Sequence, residues 1–492
     1  MALGTIANDV RVPLVYIEID NSQALSGNIA QDQKVLLLGQ MTSSGTASPL
    51  HVVEVPVSES AIDSLFGVGS MMALAAKRYR KANGYTRTFA IPIADLTEGA
   101  AAEGAFTFAG PAVQAGTLYL LVAGQSVQVG VAANATDETI ATSVAAAINA
   151  KTNLPVTAVV DSATPKKVKV KSKLKGLTGN DIDLRYNYYS GEQLPSGVTV
   201  TVDAMTGGAG TPDMSAVIAA MPDEWYNHIM MPFSDTSSLN TLRDEMLERW
   251  GPYKMMEAIA YSCYRGTYGE TITFGESRND FLISTMMSST MPTPTWEMAA
   301  AYCGIAAYHL AIDPARPLQT LALPGVIPPA KEDRFGWPER NNLLKSGIAT
   351  YQVQPGDVVA IEREVSMYQK NSYGDPDPSY LDITTPATLG KIRYDVNVMV
   401  SNRFPRHKLA DDDVLSRIDP AQPIVTPKLM TEAIFEVAER WVTEGLIEDF
   451  DLFKETFKCY RDASDRNRLN CVCHPDVVNQ LRVFAGLIQF KL

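Results

Sequence analysis

The stretch "YNHIMMPFSDTSSLNTLRDEMLERWGPYKMMEAIAYSC", residues 226–263, decides the fold class of this chain. Its first part, "YNHIMMPF" (226–233), predicts a strand, and "DTSSLNTLRDEMLERWG" (235–251) predicts a helix that ends at Gly251. The apolar run in "MMEAIAYSC" (255–263) predicts the next strand. Alternation of strands and helices is typical of a mostly parallel sheet with helices on its faces.

The same alternation continues on both sides of this stretch. Strands are predicted for "KVLLLG" (34–39), "HVVEVPV" (51–57) and "TRTFAIPI" (86–93). Between the last two, residues 58–84 predict a helical stretch that is broken around Gly67 and Gly69. Downstream, "TWEMAAAYCGIAAYHLA" (295–311) predicts a helix of small residues that can pack closely on a sheet. We therefore predict an α/β core, with a mostly parallel sheet and flanking helices, formed by residues 31–95 and 211–385.

Residues 96–210 interrupt this pattern and are rich in Ala, Gly, Thr and Val. The segment "GTLYLLVAGQSVQVGVAA" (116–133) predicts two strands around a turn, and residues 167–175 and 197–204 predict two further strands. Residues 135–150 predict a helix with Ile140, Val144 and Ile148 on one face. We therefore predict that residues 96–210 form a compact β-rich domain inserted into the core.

A run of lysines lies within this predicted domain, between residues 166 and 175. Lys167, Lys169 and Lys171 alternate with other residue types, as do Lys173 and Lys175, which predicts one solvated strand face. Nucleic-acid binding is the less favoured alternative, because aromatic residues that could stack on bases are missing from the run.

Both termini of the chain carry strand-like segments that lack a partner nearby in the sequence. The segment "VPLVYIEI" has Val15, Ile17 and Ile19 on one face and Tyr16 on the other. The segment "RVFAGLIQFKL" likewise has apolar residues on both faces: Val483, Phe484, Leu487, Ile488 and Phe490. Pairing with a neighbouring molecule would satisfy these backbones and bury both faces. Pairing within the same subunit is the alternative.

We therefore predict an N-terminal arm (1–30) and an α+β C-terminal domain (386–492) that ends in a second extended arm. Within this domain, residues 427–445 predict a helix that begins at Pro427, with Ile434, Val437 and Trp441 as its apolar stripe.

Composition narrows the class of protein. The chain has 42 basic and 55 acidic residues among 492, a net charge of −13, which disfavours nucleic-acid binding. It has no apolar run of about 18 residues, so we expect no direct membrane insertion. The first residues, "MALGTIANDVRVPL", lack the pattern of a secretory signal. Five scattered cysteines argue against a disulfide framework and favour a reducing cytoplasm.

Two segments suggest chemistry, and neither of them completes a site. Cys471, Cys473 and His474 could begin a zinc site, but the second pair of ligands is missing, so we predict that both cysteines pack as structural residues. The segment "SSTMPTP" (288–294) resembles the nucleophile region of subtilisin-type proteases, with Thr290 at the position of the serine. A catalytic triad also needs a base and an orienting group, which the sequence does not supply. We predict no catalytic, cofactor-binding or metal residues.

Several stretches together resemble the contractile tail sheath proteins of Mu-like bacteriophages. They include "FGVGSMMALAAKRYRKANGYTRTFAIPI" (66–93), "ERWGPYKMMEAIAYSCYRGTYGE" (248–270) and "ERNNLLKSGIATYQVQPGDVVAIEREVSMY" (339–368). "DEWYNHIMMPFSD" (223–235), "FPRHKLADD" (404–412) and "CVCHPDVVNQLRVFAGLIQFKL" (471–492) continue the match. The resemblance covers most of the chain, including the inserted domain.

The resemblance implies a core of subtilisin-like fold without protease activity. It implies a homo-oligomer of stacked sixfold rings around a tail tube, which shortens to drive the tube through the host envelope. It also implies that the terminal arms join sheets in neighbouring subunits, and that baseplate and tail terminator proteins are partners. We expect a virion protein that is assembled in the host cytoplasm without a cofactor.

A basic cluster precedes the last predicted strands: Lys454, Lys458, Arg461, Arg466 and Arg468. We hypothesise that some of these residues face an acidic tube surface; an ordinary solvated face is the alternative. Two other functions stay open, namely the sheath of a phage-derived bacteriocin and a protease-like hydrolase on an α/β fold.

Overall fold

The computed structural model describes residues 32–417, 419 and 422–491. The described residues form two compact units, each defined by the contacts among its own residues. The larger unit contains residues 33–391, 442–449 and 475–491, and the smaller unit contains residues 392–441 and 450–474. The predicted N-terminal arm, with Val15, Tyr16, Ile17 and Ile19, lies outside the described residues. The four-part division made from the sequence stays a prediction.

The larger unit contains a sheet of eight strands, which confirms the predicted α/β core. The strand order is β15-β14-β13-β12-β11-β1-β3-β2, and the six strands from β14 to β3 are mutually parallel, whereas β15 and β2 are antiparallel edge strands. The strands are β1 (Lys34–Gln40), β2 (Val53–Glu54), β3 (Arg87–Ile93), β11 (His228–Met230), β12 (Ile259–Tyr264), β13 (Ile283–Met287), β14 (Ile348–Gln354) and β15 (Val358–Arg363).

Seven helices accompany this sheet in the described chain. They are α1 (Glu59–Phe66), α2 (Met71–Ala82), α4 (Met214–Ala220), α5 (Thr236–Trp250), α6 (Tyr268–Glu276), α7 (Thr295–Ile312) and α8 (Trp337–Lys345). The small residues of α7 allow close packing, because an added Cβ on Gly304 would lie only 2.8 Å from the Cβ of Ala82 in α2. An ion pair of 2.6 Å between Arg78 and Glu297 joins the same two helices.

The predicted inserted segment forms two antiparallel sheets and one helix. One sheet has the order β10-β4-β8-β7 and the other β6-β5-β9. The elements are β4 (Glu103–Ala109), β5 (Gly116–Val122), β6 (Gln125–Val131), α3 (Asp137–Ala150), β7 (Val156–Val160), β8 (Lys167–Ser172), β9 (Leu184–Tyr186) and β10 (Thr199–Thr206). Thr136 caps α3, and the predicted stripe Ile140, Val144 and Ile148 is buried. The secondary structure predicted for this segment is therefore confirmed.

The remaining elements follow residue 383: α9 (Thr384–Arg403), β16 (Lys408–Leu409), β17 (Ile424–Val425), α10 (Pro427–Thr443), β18 (Ile447–Glu448), α11 (Phe450–Thr456), β19 (Lys458–Arg461), β20 (Leu469–Val472) and β21 (Asp476–Val477). Helix α10 begins at Pro427 and buries Ile434, Val437 and Trp441, as predicted. The indole nitrogen of Trp441 donates a hydrogen bond of 2.9 Å to buried Asp395.

Two predicted strands differ from the structure of the single chain. Only Val53 and Glu54 of the segment 51–57 pair in a sheet. Residues 478–491 form neither helix nor strand within the described chain, so the predicted pairing of this segment with a neighbouring molecule stays a prediction. Within the described ranges, no helix combines the length and the apolar character needed to cross a bilayer.

Candidate functional site

Residues 483–491, called here the C-terminal tail, expose their apolar side chains. Val483, Phe484, Leu487, Ile488 and Phe490 are between 79 % and 92 % exposed. A contiguous apolar segment that stays in water is typical of a surface that binds another protein. The structure therefore places all five predicted residues of this arm where a partner could reach them.

The residues just before the tail are held firmly to the larger unit. In β21, Val477 pairs with Ile447 of β18, and the backbone N–H of Val478 donates to the carbonyl of Leu446 at 3.1 Å. The side-chain amide of Gln480 donates to the carbonyl of Ala315 at 2.7 Å. The tail thus leaves the unit from a root, residues 475–482, that is fixed by backbone and side-chain hydrogen bonds.

A buried ion pair completes this root. The Nη2 atom of Arg482 lies 2.5 Å from Oε1 of Glu364, and the two side chains are only 9 % and 0 % exposed. The same guanidinium lies 3.2 Å from Asp382, and Glu364 also accepts the backbone N–H of Leu318 at 3.0 Å. Sequence reasoning missed this clamp, although an arginine directly before an apolar tail is a signal that could have prompted a search for an acidic partner.

The five predicted basic residues do not form one patch of free positive charge. Lys454 lies in α11 and pairs with Asp451 at 2.7 Å, whereas Arg461 and Arg466 share Asp411, at 3.0 Å and 3.8 Å. Arg468 donates to the side chain of Asn470 at 2.8 Å. Lys458 forms no ion pair with another described residue and is exposed. Lys458 and Arg468 are therefore the members best placed to meet an outside partner.

Four of these residues lie on one β-hairpin, residues 458–472, called here the basic hairpin. Strands β19 and β20 pair antiparallel, with Lys458 opposite Val472 and Arg461 opposite Leu469. Asp462 organises the turn, since its carboxylate accepts hydrogen bonds from Ser464, Asp465 and Asn470. These bonds hold the pKa of Asp462 well below its usual range.

The cysteines at the start of the segment 471–492 do not pack as predicted. Cys471 and Cys473 are exposed, and Cys459 is half-buried. The Sγ atoms of Cys459 and Cys471 lie 2.8 Å apart, because these residues face each other across the hairpin. The prediction failed because β20 lies on the surface of a two-stranded sheet and has no core behind it. Among the described residues, no group of three or more ligands could hold a metal ion.

The protease-like segment has a structural setting that differs from a triad. The hydroxyl of Thr290 donates to Asp333 at 3.1 Å.

His228 is a buried histidine of the core sheet. Its two ring nitrogens form hydrogen bonds with Tyr261, at 3.0 Å, and with Gln33, at 2.9 Å. Burial lowers the pKa of His228 to about 3, so it stays neutral over the physiological range. These contacts give His228 a structural role in the sheet.

The inserted segment lines the crevice where open α/β sheets commonly hold ligands. This crevice lies at the carboxyl ends of the strands where the strand order reverses, here between β1 and β11. Residues 176–178 and 210–212 line a cavity of about 200 Å³ there together with Gln40. The side-chain amide of Gln40 donates to the carbonyl of Lys175 at 3.0 Å. The insert thus supplies part of the wall of this crevice.

The lysine face of β8 is matched by acidic neighbours. Lys167 pairs with Asp203 at 2.7 Å, Lys169 with Asp161 at 3.2 Å, and Lys171 with Glu103 at 2.9 Å. Two further lysines of the run donate to backbone carbonyl groups: Lys173 to those of Thr152 and Val68, and Lys175 to that of Thr97. The prediction of one solvated face thus holds for Lys169 and Lys171, which are exposed, whereas Lys167, Lys173 and Lys175 are half-buried.

Comparison with known proteins gives consistent results over the whole chain. Residues 207–367 match the phage tail sheath central domain, and residues 375–491 match the phage tail sheath C-terminal domain. The tail sheath protein of the Mu-like prophage FluMu from Haemophilus influenzae is 40 % identical over 492 residues, which is 100 % of both chains.

Solved structures with similar folds share little sequence with this chain. A chain of the anti-feeding prophage baseplate in its contracted state superimposes with a TM-score of 0.50 at 10 % identity, covering 97 % of this chain and 98 % of that chain. The sheath tail protein Lin1278 from Listeria innocua has a TM-score of 0.49 at 12 % identity, covering 93 % of this chain and 94 % of that chain. The full-length identity and the two matched domains show that the chain belongs to the phage tail sheath family, as a sheath protein of the Mu-like type.

Proposed function

We propose that copies of this chain polymerise as stacked sixfold rings around a tail tube and contract to drive the tube through the host envelope. The sheath would be assembled in the host cytoplasm, with baseplate and tail terminator proteins at its ends, and would deliver the phage genome as part of the virion. The observation that carries this proposal is the exposed C-terminal tail on its fixed root.

The tail supplies a driving force for polymerisation. Full burial of an apolar side chain of the size of Val, Leu, Ile or Phe contributes about 1.5–3 kcal/mol. Five such side chains are exposed in the tail, and its backbone between residues 483 and 491 is in no sheet. Addition of the tail as a strand to the sheet of a second copy would bury these side chains and satisfy the backbone together.

The root explains how a polymer could move without coming apart. Arg482 is the last residue before the tail, and its side chain forms an ion pair with Glu364, which is fully buried in the larger unit. A tail that is fixed at one end in its own unit and at the other in a neighbour would keep the two subunits connected while their cores rotate. Many small gains in buried surface along the polymer could then drive contraction without a cofactor.

The N-terminal segment 1–30 is proposed as a second arm. Its strand-like run with Val15, Tyr16, Ile17 and Ile19 has the same two-faced apolar pattern as the tail. Two arms per subunit would connect each copy to more than one neighbour, which a continuous sheath requires.

The basic hairpin is the proposed surface towards the tube. Residues 392–441 and 450–474 carry 12 basic and 12 acidic residues, in a chain whose net charge is −13. Lys458 and Arg468 are the two basic side chains of the hairpin that are not paired with a described carboxylate. Exposed ion pairs are individually weak, at about 0–1 kcal/mol, so a tube held in this way could still be released.

We further propose that this sheath subunit has a structural role without catalysis. The contacts of Thr290 with Asp333 and of His228 with Tyr261 support this proposal. A fluorophosphonate probe that labels active serine hydrolases should leave the purified chain unlabelled. Stoichiometric labelling would contradict the proposal.

The test of the tail compares two aromatic residues of similar exposure. Phe484 is 87 % exposed and lies in the tail, whereas Tyr253 is 98 % exposed and lies in the loop after α5. Phe484→Ser should reduce the yield of hollow cylinders in electron micrographs, and Tyr253→Ser should not. Deletion of residues 483–492 should leave a folded subunit that does not polymerise. Normal cylinders from both tail variants would overturn the proposed role of the tail.

A further inference from the structure

Two cysteines of the chain lie on the basic hairpin, and a third follows it directly. Cys459 lies in β19, Cys471 lies directly opposite it in β20, and Cys473 follows two residues later. The other two cysteines of the chain, Cys263 and Cys303, are buried in the larger unit. The surface group is thus the part of the cysteine content that small reagents can reach in the isolated chain.

The backbone already positions two of these residues for a covalent bond. Directly opposed residues in an antiparallel pair have Cα atoms about 4.5–5.5 Å apart, and a disulfide accepts Cα separations of about 4.4–6.8 Å. Their Sγ atoms lie 2.8 Å apart, with nothing between them. Bond formation therefore requires only small rotations of the side chains and no change in the pairing of the strands.

We propose that Cys459 and Cys471 form an intramolecular disulfide when the chain meets an oxidised low-molecular-weight thiol such as glutathione disulfide. This bond would close residues 459–471 into a covalent ring that contains three of the five basic residues, Arg461, Arg466 and Arg468. The chemistry does not depend on the proposed function, although release of a virion from a reducing cytoplasm would supply the change in conditions.

The reaction proceeds in two exchanges. The thiolate of Cys459 attacks one sulfur of glutathione disulfide, which forms a mixed disulfide and releases one glutathione thiolate. The sulfur of Cys471, after losing its proton to solvent, then attacks the Cys459 sulfur of the mixed disulfide and releases the second glutathione. The two protein thiols are oxidised, and one glutathione disulfide is reduced to two glutathione molecules.

The surroundings of Cys459 favour it as the attacking group. The hydrogen bond from Cys471 lowers the pKa of the Cys459 thiol. The same shared bond raises the pKa of Cys471. Burial and the proximity of Cys459 raise the pKa of Cys473, so Cys473 is the poorer competitor in the first exchange.

The sequence makes the bond easy to identify. Trypsin releases Cys459 in the peptide "CYR" (459–461) and both Cys471 and Cys473 in "LNCVCHPDVVNQLR" (469–482). The full-length chain is incubated with glutathione disulfide, free thiols are blocked with N-ethylmaleimide, and the non-reduced digest is analysed by mass spectrometry. The expected product links these two peptides in wild type and equally in Cys473→Ser, while Cys471→Ser loses the link.

Further observations separate this proposal from its alternatives. The oxidised chain should run as a monomer on a non-reducing gel, and amide exchange in β19 and β20 should be slower than in the reduced wild-type chain. Recovery of alkylated Cys459 in Cys473→Ser after treatment would overturn the proposal. A link that persists in Cys471→Ser, or a covalent dimer as the main product, would overturn it as well.

Discussion

Replacement of Glu364 by glutamine should loosen the root of the C-terminal tail and make Arg482 accessible to trypsin. The protease must bind the arginine side chain, yet in the folded chain that side chain is 9 % exposed and is held against Glu364. Cleavage after Arg482 therefore requires the clamp to open. Glu364→Gln leaves the cleavage site intact, so the cleavage rate reports the opening directly.

The size of the effect follows from the contacts of the clamp. Glu364 is fully buried, so solvent does not screen the pair. A hydrogen bond to a charged group contributes about 1.5–3 kcal/mol. Glutamine keeps the shape of the side chain and an oxygen for the N–H of Leu318, and Arg482 keeps Asp382 at 3.2 Å. We therefore expect a loss of about 2 kcal/mol, which corresponds to a roughly 30-fold larger open population.

Limited proteolysis of the unassembled chain measures this population. When opening and closing are fast relative to cleavage, the rate is proportional to the open fraction. Release of the peptide that begins at Val483 is followed by mass spectrometry, and cleavage after exposed Arg466 serves as the internal reference. Glu54→Gln is the matched control, because Glu54 forms an exposed ion pair with Arg87 at 3.3 Å.

Trypsin should cleave the control variant after Arg482 at the wild-type rate. If trypsin also cleaves Glu364→Gln at that rate, the clamp does not hold the tail root and the reasoning is refuted. Equal acceleration of cleavage after Arg482 and Arg466 in Glu364→Gln would refute it too, since that result would indicate general unfolding.

Three other predictions concern stability, measured by denaturant titration. Burial lowers the pKa of His228 to about 3, so between that value and the unfolded value of about 6.5 only the unfolded state binds a proton. The free energy of unfolding should therefore fall below pH 6.5, by about 2 kcal/mol at pH 5. An identical pH profile for His228→Gln would contradict this. Gly304→Ala should destabilise the α2–α7 contact by about 1–3 kcal/mol, since its Cβ would meet Ala82 at 2.8 Å; an unchanged midpoint would refute the close packing. Trp441→Phe should lower the free energy of unfolding by about 1–3 kcal/mol through loss of the bond to Asp395, and a neutral effect would count against that bond.

Local sequence patterns were a good guide wherever a segment forms its own contacts. The helix α3 and its stripe Ile140, Val144 and Ile148 were predicted because helical periodicity directly reports the buried face. The parallel core sheet was predicted because strands in such a sheet are buried on both faces and alternate with helices. The strand predicted for the C-terminal tail stays a prediction, because a strand needs a partner edge and the predicted edge belongs to a second molecule.

Contacts between distant residues could not be predicted in this way. Arg482 and Glu364 are 118 residues apart in sequence, and neither has a local pattern that names the other. The lysines of β8 gave a pattern typical of a solvated face, but their pairing with Glu103, Asp161 and Asp203 depends on how β4, β7 and β10 are arranged around β8.

The sequence by itself determined the α/β core, the inserted β-rich segment, the family resemblance and the apolar character of the C-terminal tail. These features depend on the order and spacing of residues along the chain. Only the tertiary structure decided that the tail is exposed beyond a buried clamp and that Cys459 faces Cys471. Both depend on which strands and loops meet in space, because burial and distance are properties of the folded chain.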